Sequence, residues 1–230
     1  MSDTPEASRR PGRPRLADDD AFDRDRALRV ALGVFARDGF EGASVRQISR
    51  EVGVSNTLLH HYFGSKQQLW EACIDHSFGA VSKQILPRLD KLLGPGDPVA
   101  KVHDMVKSYV MLSAQFPEGF QIITQEGARG GERLDYIVDR HIKGFLDVAR
   151  VLIDAAAKQG LVRDVPWASL FFLVFNGGTA LYALKELAAK VAAPGALDDV
   201  TFLELHASAT ADMIVAALQP SEPTPDPSKS

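Results

Sequence analysis

Cysteine is nearly absent from this chain: Cys73 is the only one in 230 residues, which excludes an internal disulfide and a multi-thiolate metal site. A secretory leader is not expected, because Arg9, Arg10, Arg13 and Arg15 are followed by Asp18, Asp19 and Asp20 where a leader needs apolar residues. The expected location is the cytoplasm. No segment alternates apolar and polar residues over the length of a strand, so β-structure is not expected. The motifs of nucleotide, nucleophile and metalloprotease chemistry are missing as well: no Gly-x-x-x-x-Gly-Lys, no Gly-x-Ser-x-Gly, no His-Glu-x-x-His, and no Gly-x-Gly-x-x-Gly after a strand. The glycines from Gly127 to Gly131 follow no strand and make no phosphate cradle. No catalytic residue, cofactor or metal is expected.

Long charge-free runs are rare. Val165 to Leu184 is one, and it is long enough to cross a bilayer. Pro166, Asn176, Gly177, Gly178 and Thr179 lower its hydropathy, and aromatic or basic residues do not bracket it on both sides. It reads as a helix buried among other helices, with no membrane partner.

What is present is a globular composition, 45% hydrophobic and 24% charged, which rules out wholesale disorder. The length suits a small domain and a larger one. The net charge of -4 is unevenly spread: Arg9 to Lys66 carries +3 and the remainder -7. A small basic part on an acidic body suits a protein that meets a polyanion with one end.

Helical periodicity runs through nearly the whole chain. Leu28, Ala31, Leu32 and Phe35 form an apolar stripe that stops at Gly39. Ser44 is an N-cap for a second helix carrying Val45, Ile48 and Val52 inward and ending at Gly53. Ser55 caps a third, short helix, and Gly64 and Ser65 separate it from a long one that starts at Lys66. Beyond Pro95, further helices are expected over 98–116, 118–126, 132–160, 167–187 and 198–218, with breaks at Gly and Pro. The expected fold class is all-α, an N-terminal three-helix helix-turn-helix head joined to a larger helical bundle. Residues 1–17 read as a disordered basic arm, 18–65 as the head, 66–218 as the bundle, and 219–230 as a disordered tail.

Two short capped helices joined at Gly53 suit DNA, because the second can enter the major groove, where each base pair shows a distinct donor and acceptor pattern. With Val54, Leu58 or Leu59, and Phe63 inward, Asn56, Thr57, His60 and His61 stand on the outer side. Adjacent helical residues diverge by about 100°, so His60 and His61 make no metal pair. Arg9 to Arg15, stiffened by Pro11 and Pro14, suits a minor-groove arm through Arg13 and Arg15, or a solubilising tail.

The run Phe35, Gly39-Phe40, Ser44-Val45-Arg46-Gln47-Ile48, Gly53-Val54-Ser55, Leu59, Tyr62-Phe63, Ser65-Lys66 and Leu69 resembles the DNA-binding head of the tetracycline-repressor-like (TetR) family across roughly residues 22 to 72. The resemblance implies phosphate contacts from Ser44, Arg46 and Lys66, base contacts from Asn56, Thr57 and His61, and backbone or base-edge contacts from His60 and Tyr62, with Ser55 as the cap. His60 stands where the family most often has Tyr, and Tyr62 where it most often has His. Arg46 and Lys66 also fit ordinary solvated charges, and Tyr62 a core residue of the head.

The resemblance further implies a bundle that holds a small-molecule effector inside and a homodimer made through the last two helices. Trp167, Leu170, Phe171, Val174, Phe175 and Leu181, then Phe202, Leu205, Met213 and Leu218, are the expected dimer residues. For the effector, polar residues on apolar faces are the candidates: Tyr109, Gln125, His141 in the stripe Leu134, Val138, Phe145, Val148 and Leu152, and Asn176, with Phe171 and Phe175 beside it. The segment from Thr124-Gln125-Glu126 to Arg140-His141 is similar to a subgroup that includes pyrimidine-use and multidrug-efflux regulators, which does not select an effector. The expected function is sequence-specific transcriptional regulation, a repressor released from a palindromic double-stranded DNA operator by its effector. An activator, an effector-independent regulator and a helical-bundle enzyme with a docking head are the alternatives.

Overall fold

Eleven α-helices follow one another in the computed structural model, which describes residues 22–220 and, at 86 and 89–91, the backbone alone. Among the described residues there is no strand. Arg13 and Arg15, with the rest of the basic arm, lie outside the described residues, as does the tail beyond residue 220.

The head is α1 (Arg24–Gly42), α2 (Val45–Val52) and α3 (Asn56–Phe63). Each starts on a side chain that takes up an orphan backbone N–H: Asp23 from Arg26, Ser44 from Gln47, and Ser55 from Leu58. Gly39 has φ +71, so the helical run breaks there as its sequence predicts. Gly53, at φ +83, closes α2 in the left-handed conformation that glycine alone adopts without a side-chain clash.

The long α4 (Lys66–Leu93) leaves the head and enters the body. The body consists of α5 (Pro98–Gln115), α6 (Pro117–Arg129), α7 (Glu132–Ile137), α8 (Lys143–Lys158), α9 (Trp167–Ala183), α10 (Lys185–Val191) and α11 (Val200–Leu218). Two cores result. In the first, Leu28, Phe35, Ile48, Leu59 and Phe63 of the head pack with Leu69, Trp70 and Ile74 of α4, Ile122 of α6 and Ile137 of α7. In the second, Val102 and Val106 of α5 meet Ile153, Leu170, Ala211 and Ile214. α5 is the central post, packed against α8, α9 and α11.

Two expected helices are interrupted. The one over 132–160 carries a π-helical turn, Val138–Ile142, between α7 and α8. The one over 167–187 breaks at Leu184, where the chain turns by 84° into α10. The residues there are good helix formers, so nothing in the local sequence accounts for the break; of α10 only Ala188 is buried, while Leu187 stays exposed.

The expectation that α9 is buried on all sides is also corrected: Phe172 is 58% exposed and Leu173 53%. By length and composition α11, and α9 with α10 as a bent pair, reach what a bilayer crossing needs. Yet α11 carries Glu204, His206 and Asp212 and turns Ala207, Ala211 and Ile214 into the core, as a bundle helix does.

Candidate nucleic-acid interface and internal cavity

The three-helix head presents α3 outward. Leu59 and Phe63 are buried, and Asn56, Thr57, His60 and His61 are all exposed on the other side. Ser55, capping from outside the helix, is exposed as well, as are Ser44 and Arg46 at the start of α2. The turn between the helices is held by the Gly53 and Val54 amides, both donating to the Ser49 carbonyl. Charge clamps the frame from behind: Arg37 meets Asp38 and Glu51 at 2.9 Å each, and Gln47 donates to Asp38 at 2.7 Å. Both carboxyls are held below the usual range, first by their hydrogen bonds from Arg37. α2 is thereby braced on α1, so the angle at which α3 projects is set by the fold.

Three predicted contacts have structural work of their own. His60 Nδ1 lies 2.6 Å from the Gly64 carbonyl and helps close α3. Tyr62, 36% exposed, stacks on Phe22 at 4.0 Å, so it is neither a core residue nor a wholly outward one. The Lys66 ammonium sits 4.5 Å over the Phe40 ring and 3.4 Å from the Glu41 carbonyl, at the rim where α4 meets the head.

Inside the body is a cavity of about 390 Å³ walled by α4, α5, α6, the π-helical turn, α8, α9 and α11. Tyr109, His141, Phe171 and Phe175 line it. Phe78, Phe120, Phe145 and Trp167 make the lining strongly aromatic. Two candidates do not belong to it. The Gln125 amide turns away and donates to the Ala36 carbonyl of α1 at 2.6 Å, while Asn176 is exposed and donates back to the Phe172 carbonyl. The dimer assignment is corrected on the same helix: Trp167, Leu170, Phe171, Val174 and Phe175 face the cavity, and Phe172 and Leu173 face outward. Both faces of α9 are apolar, so periodicity alone could not tell them apart.

The cavity's polar end is a cluster that sequence reading missed. Asp75 Oδ1 accepts from Tyr136 Oη at 2.9 Å and Arg140 Nε at 3.0 Å, and lies 2.9 Å from His141 Nε2. The π-helical turn carries Arg140 and His141, and such turns recur at functional sites. Burial holds the His141 pKa below its ordinary value despite the Asp75 carboxylate, so the ring is neutral near pH 7. It stacks on Phe78 at 5.0 Å. The Tyr136 phenol is pushed up to about 12 by burial and by its bond to Asp75. Asp75 lies 66 positions from His141, and no local pattern announces the pairing.

A second missed feature is the tie between cavity and head. Phe120 and Ile123 of α6 line the cavity, and one turn further Gln125 holds α1. Glu126, only 1% exposed, pairs with Arg133 at 3.1 Å, and the Arg133 guanidinium also lies 4.2 Å over Phe40. A buried carboxylate calls for such partners. α4 makes the same connection through Phe78 and Val81 in the cavity wall and Trp70 in the head core.

Residues 27–73 match the family described as bacterial regulatory proteins, tetR family. The chain is 27% identical over 146 residues to the HTH-type transcriptional repressor NicS of Pseudomonas putida, an alignment covering 61% of this chain and 66% of that protein. It is 25% identical over 200 residues to the HTH-type transcriptional regulator RutR of Escherichia coli, covering 84% and 89% respectively. Among solved structures, AibR in complex with isovaleryl coenzyme A and operator DNA superposes with a TM-score of 0.64 at 22% identity, over 86% of this chain and 99% of that one. The shared fold has the helix-turn-helix at its N-terminal end and a helical body behind it.

Proposed function

The chain belongs to the tetR family of bacterial regulatory proteins, DNA-binding transcriptional regulators and not enzymes, and from that premise we propose that it is a cytoplasmic repressor that grips a palindromic operator as a homodimer and lets go when a small molecule fills its internal cavity. The observation that carries this reading is the exposed polar face of α3, Asn56, Thr57 and His61, held outward by caps and clamps on a frame that shares α4 and α6 with the cavity wall. Residues 18–65 serve as the reading head and 66–218 as the sensing and pairing body. That NicS is a repressor and that AibR binds both an acyl thioester and operator DNA support the two halves of the proposal.

Dimerisation is supported by the outward apolar residues on α9, α10 and α11: Phe172, Leu173, Leu187, Val200, Leu205 and Met213. Large exposed apolar residues on neighbouring helices suit an interaction site, and a two-fold partner would cover them. Two heads are needed because successive major-groove faces recur about every 34–36 Å. A ligand that fits the cavity better in one head spacing than another shifts operator affinity by that difference. α4 and α6 are the two rods that would carry the shift.

The test is anisotropy-monitored binding to DNA upstream of the protein's own gene across a salt series. Arg46→Gln should weaken all sequences alike and flatten the salt slope by about 0.9 per lost phosphate contact. Asn56→Ala and His61→Ala should each relax preference at one position by about 1–3 kcal/mol. Unchanged binding in all three variants would sink the proposed interface.

A further inference from the structure

We infer that the effector is a two-part molecule, an apolar body lodged in the inner cavity and an anionic head held in a second, outer cavity between α4 and α5. The inference rests on the effector-controlled reading above and names its ligand. The outer cavity, of about 510 Å³, shares Ile85, Met105, Tyr109, Leu112 and Phe145 with the inner one, so the two meet across a common wall. Their linings differ in kind. The outer one adds Arg88, Lys107, Ser108, Gln84 and Gln115, with Asp104 as its one carboxylate among the described residues.

Charge sorts the two chambers. In the inner cavity the one charged group among the described residues is Arg140, and its Nε already lies 3.0 Å from Asp75. An anion buried there would meet no free countercharge, which is costly among aromatic rings. In the outer cavity Arg88 touches only the Ser108 hydroxyl, at 3.4 Å, and Lys107 meets no carboxylate among the described residues. Asp104 lies 3.9 Å from His103 Nδ1. Among the described residues, two cations stand against one carboxylate in the outer chamber's lining, and both are of the type that binds carboxylate or phosphate oxygens.

Tyr109 marks the join. Its ring is held by Phe120 at 5.5 Å and Phe145 at 6.0 Å, and no described residue hydrogen-bonds its hydroxyl. Half-buried and lining both chambers, the phenol can donate to a ligand carbonyl or carboxyl oxygen placed where apolar body gives way to polar head. The Gln84–Gln115 hydrogen bond, 3.1 Å, crosses the outer chamber from α4 to α5, so a head seated there also displaces a link to the helix that enters the reading head.

Calorimetric titration of the full chain with octanoate, octanoyl-coenzyme A and methyl octanoate tests this, since the three share one apolar body and differ in charge. At least one anion should bind tenfold or more tightly than the neutral ester. Arg88→Gln with Lys107→Gln should weaken that anion at least tenfold and leave the ester within twofold, and Arg88→Lys with Lys107 intact should retain most of the affinity. Octanoate ahead of octanoyl-coenzyme A identifies a carboxylate head, and the reverse a phosphate-bearing one. Equal binding of ester and anions, an inert double variant, or no binding of any probe overturns the inference. Operator anisotropy on the same samples separates the two levels: an anion that binds as described without changing operator affinity upholds the two-part site and overturns effector control.

Discussion

Ser55 shows how much a single hydroxyl does in the head. It accepts the Leu58 amide at 3.1 Å and so starts α3 immediately after the bend at Gly53. Ser55→Ala should lower stability by about 1 kcal/mol in chemical denaturation, the usual cost of a lost N-cap, and should weaken operator binding because the first turn carries Asn56 and Thr57. A second residue-scale prediction concerns pH. Burial lowers the pKa of His141, against the pull of Asp75, and of His206, against the Gly178 carbonyl. Above the ordinary value of 6.5 both rings are neutral whether the chain is folded or not. Below it the unfolded chain takes up protons first, so this stability is complete above pH 6.5 and is lost as pH falls through the depressed folded values. The Tm should therefore decline on acidification, and His141→Gln with His206→Gln should reduce the slope; an unaltered slope would assign the acid sensitivity elsewhere.

At the scale of elements, the contact between α5 and α9 sets the cavity's shape. Gly178 lies so close to α5 that a Cβ there would sit 2.8 Å from Val110 Cγ2, beside Tyr109. Ser113 bonds across the same contact to the Gly178 carbonyl at 3.3 Å. Gly178→Ala should cost about 1–3 kcal/mol, the range for overpacking a tight core, and shift Tyr109 at the wall between the two chambers. Gly127→Ala is the counterpart on α6: open space surrounds it, so the change should stabilise by up to about 1 kcal/mol through helix propensity alone. Urea denaturation of the pair separates packing from propensity. The helices themselves were largely legible, because caps such as Ser44 and Ser55 and stops such as Gly53 act within one turn. The break at Leu184 was not, since Ala183 to Glu186 contains no residue that disfavours a helix.

For the whole molecule, the proposed pairing surface is the outward side of α9 and α11. Phe172→Glu with Leu205→Glu places charge on that side while leaving the cavity-facing Phe171 and Phe175 in place. Sedimentation should show a monomer, and operator affinity should collapse because one head meets only one half-site. A variant that stays dimeric would move the interface to another face. The proposed coupling belongs to this scale as well: the first core runs without interruption from Leu59 in α3 to Ile122 in α6, so the head and the cavity wall share side chains instead of meeting at a hinge. Small shifts at Phe120 or Ile123 would reach Ala36 through Gln125 as the displacement of a packed helix.

The amino-acid sequence by itself determined the all-α class, the capped helix-turn-helix and the outward side of α3, because helical periodicity, caps and left-handed glycines act over three or four residues. Only the tertiary structure decided what the body's polar residues do. Gln125 serves the head because Ala36, 89 positions away, lies opposite it; His141 belongs to the cavity because Asp75, 66 positions away, holds it there; and Asn176 stands on the outside of a helix that is apolar on both faces. Those roles depend on which distant side chain ends up opposite, and packing alone chooses that neighbour.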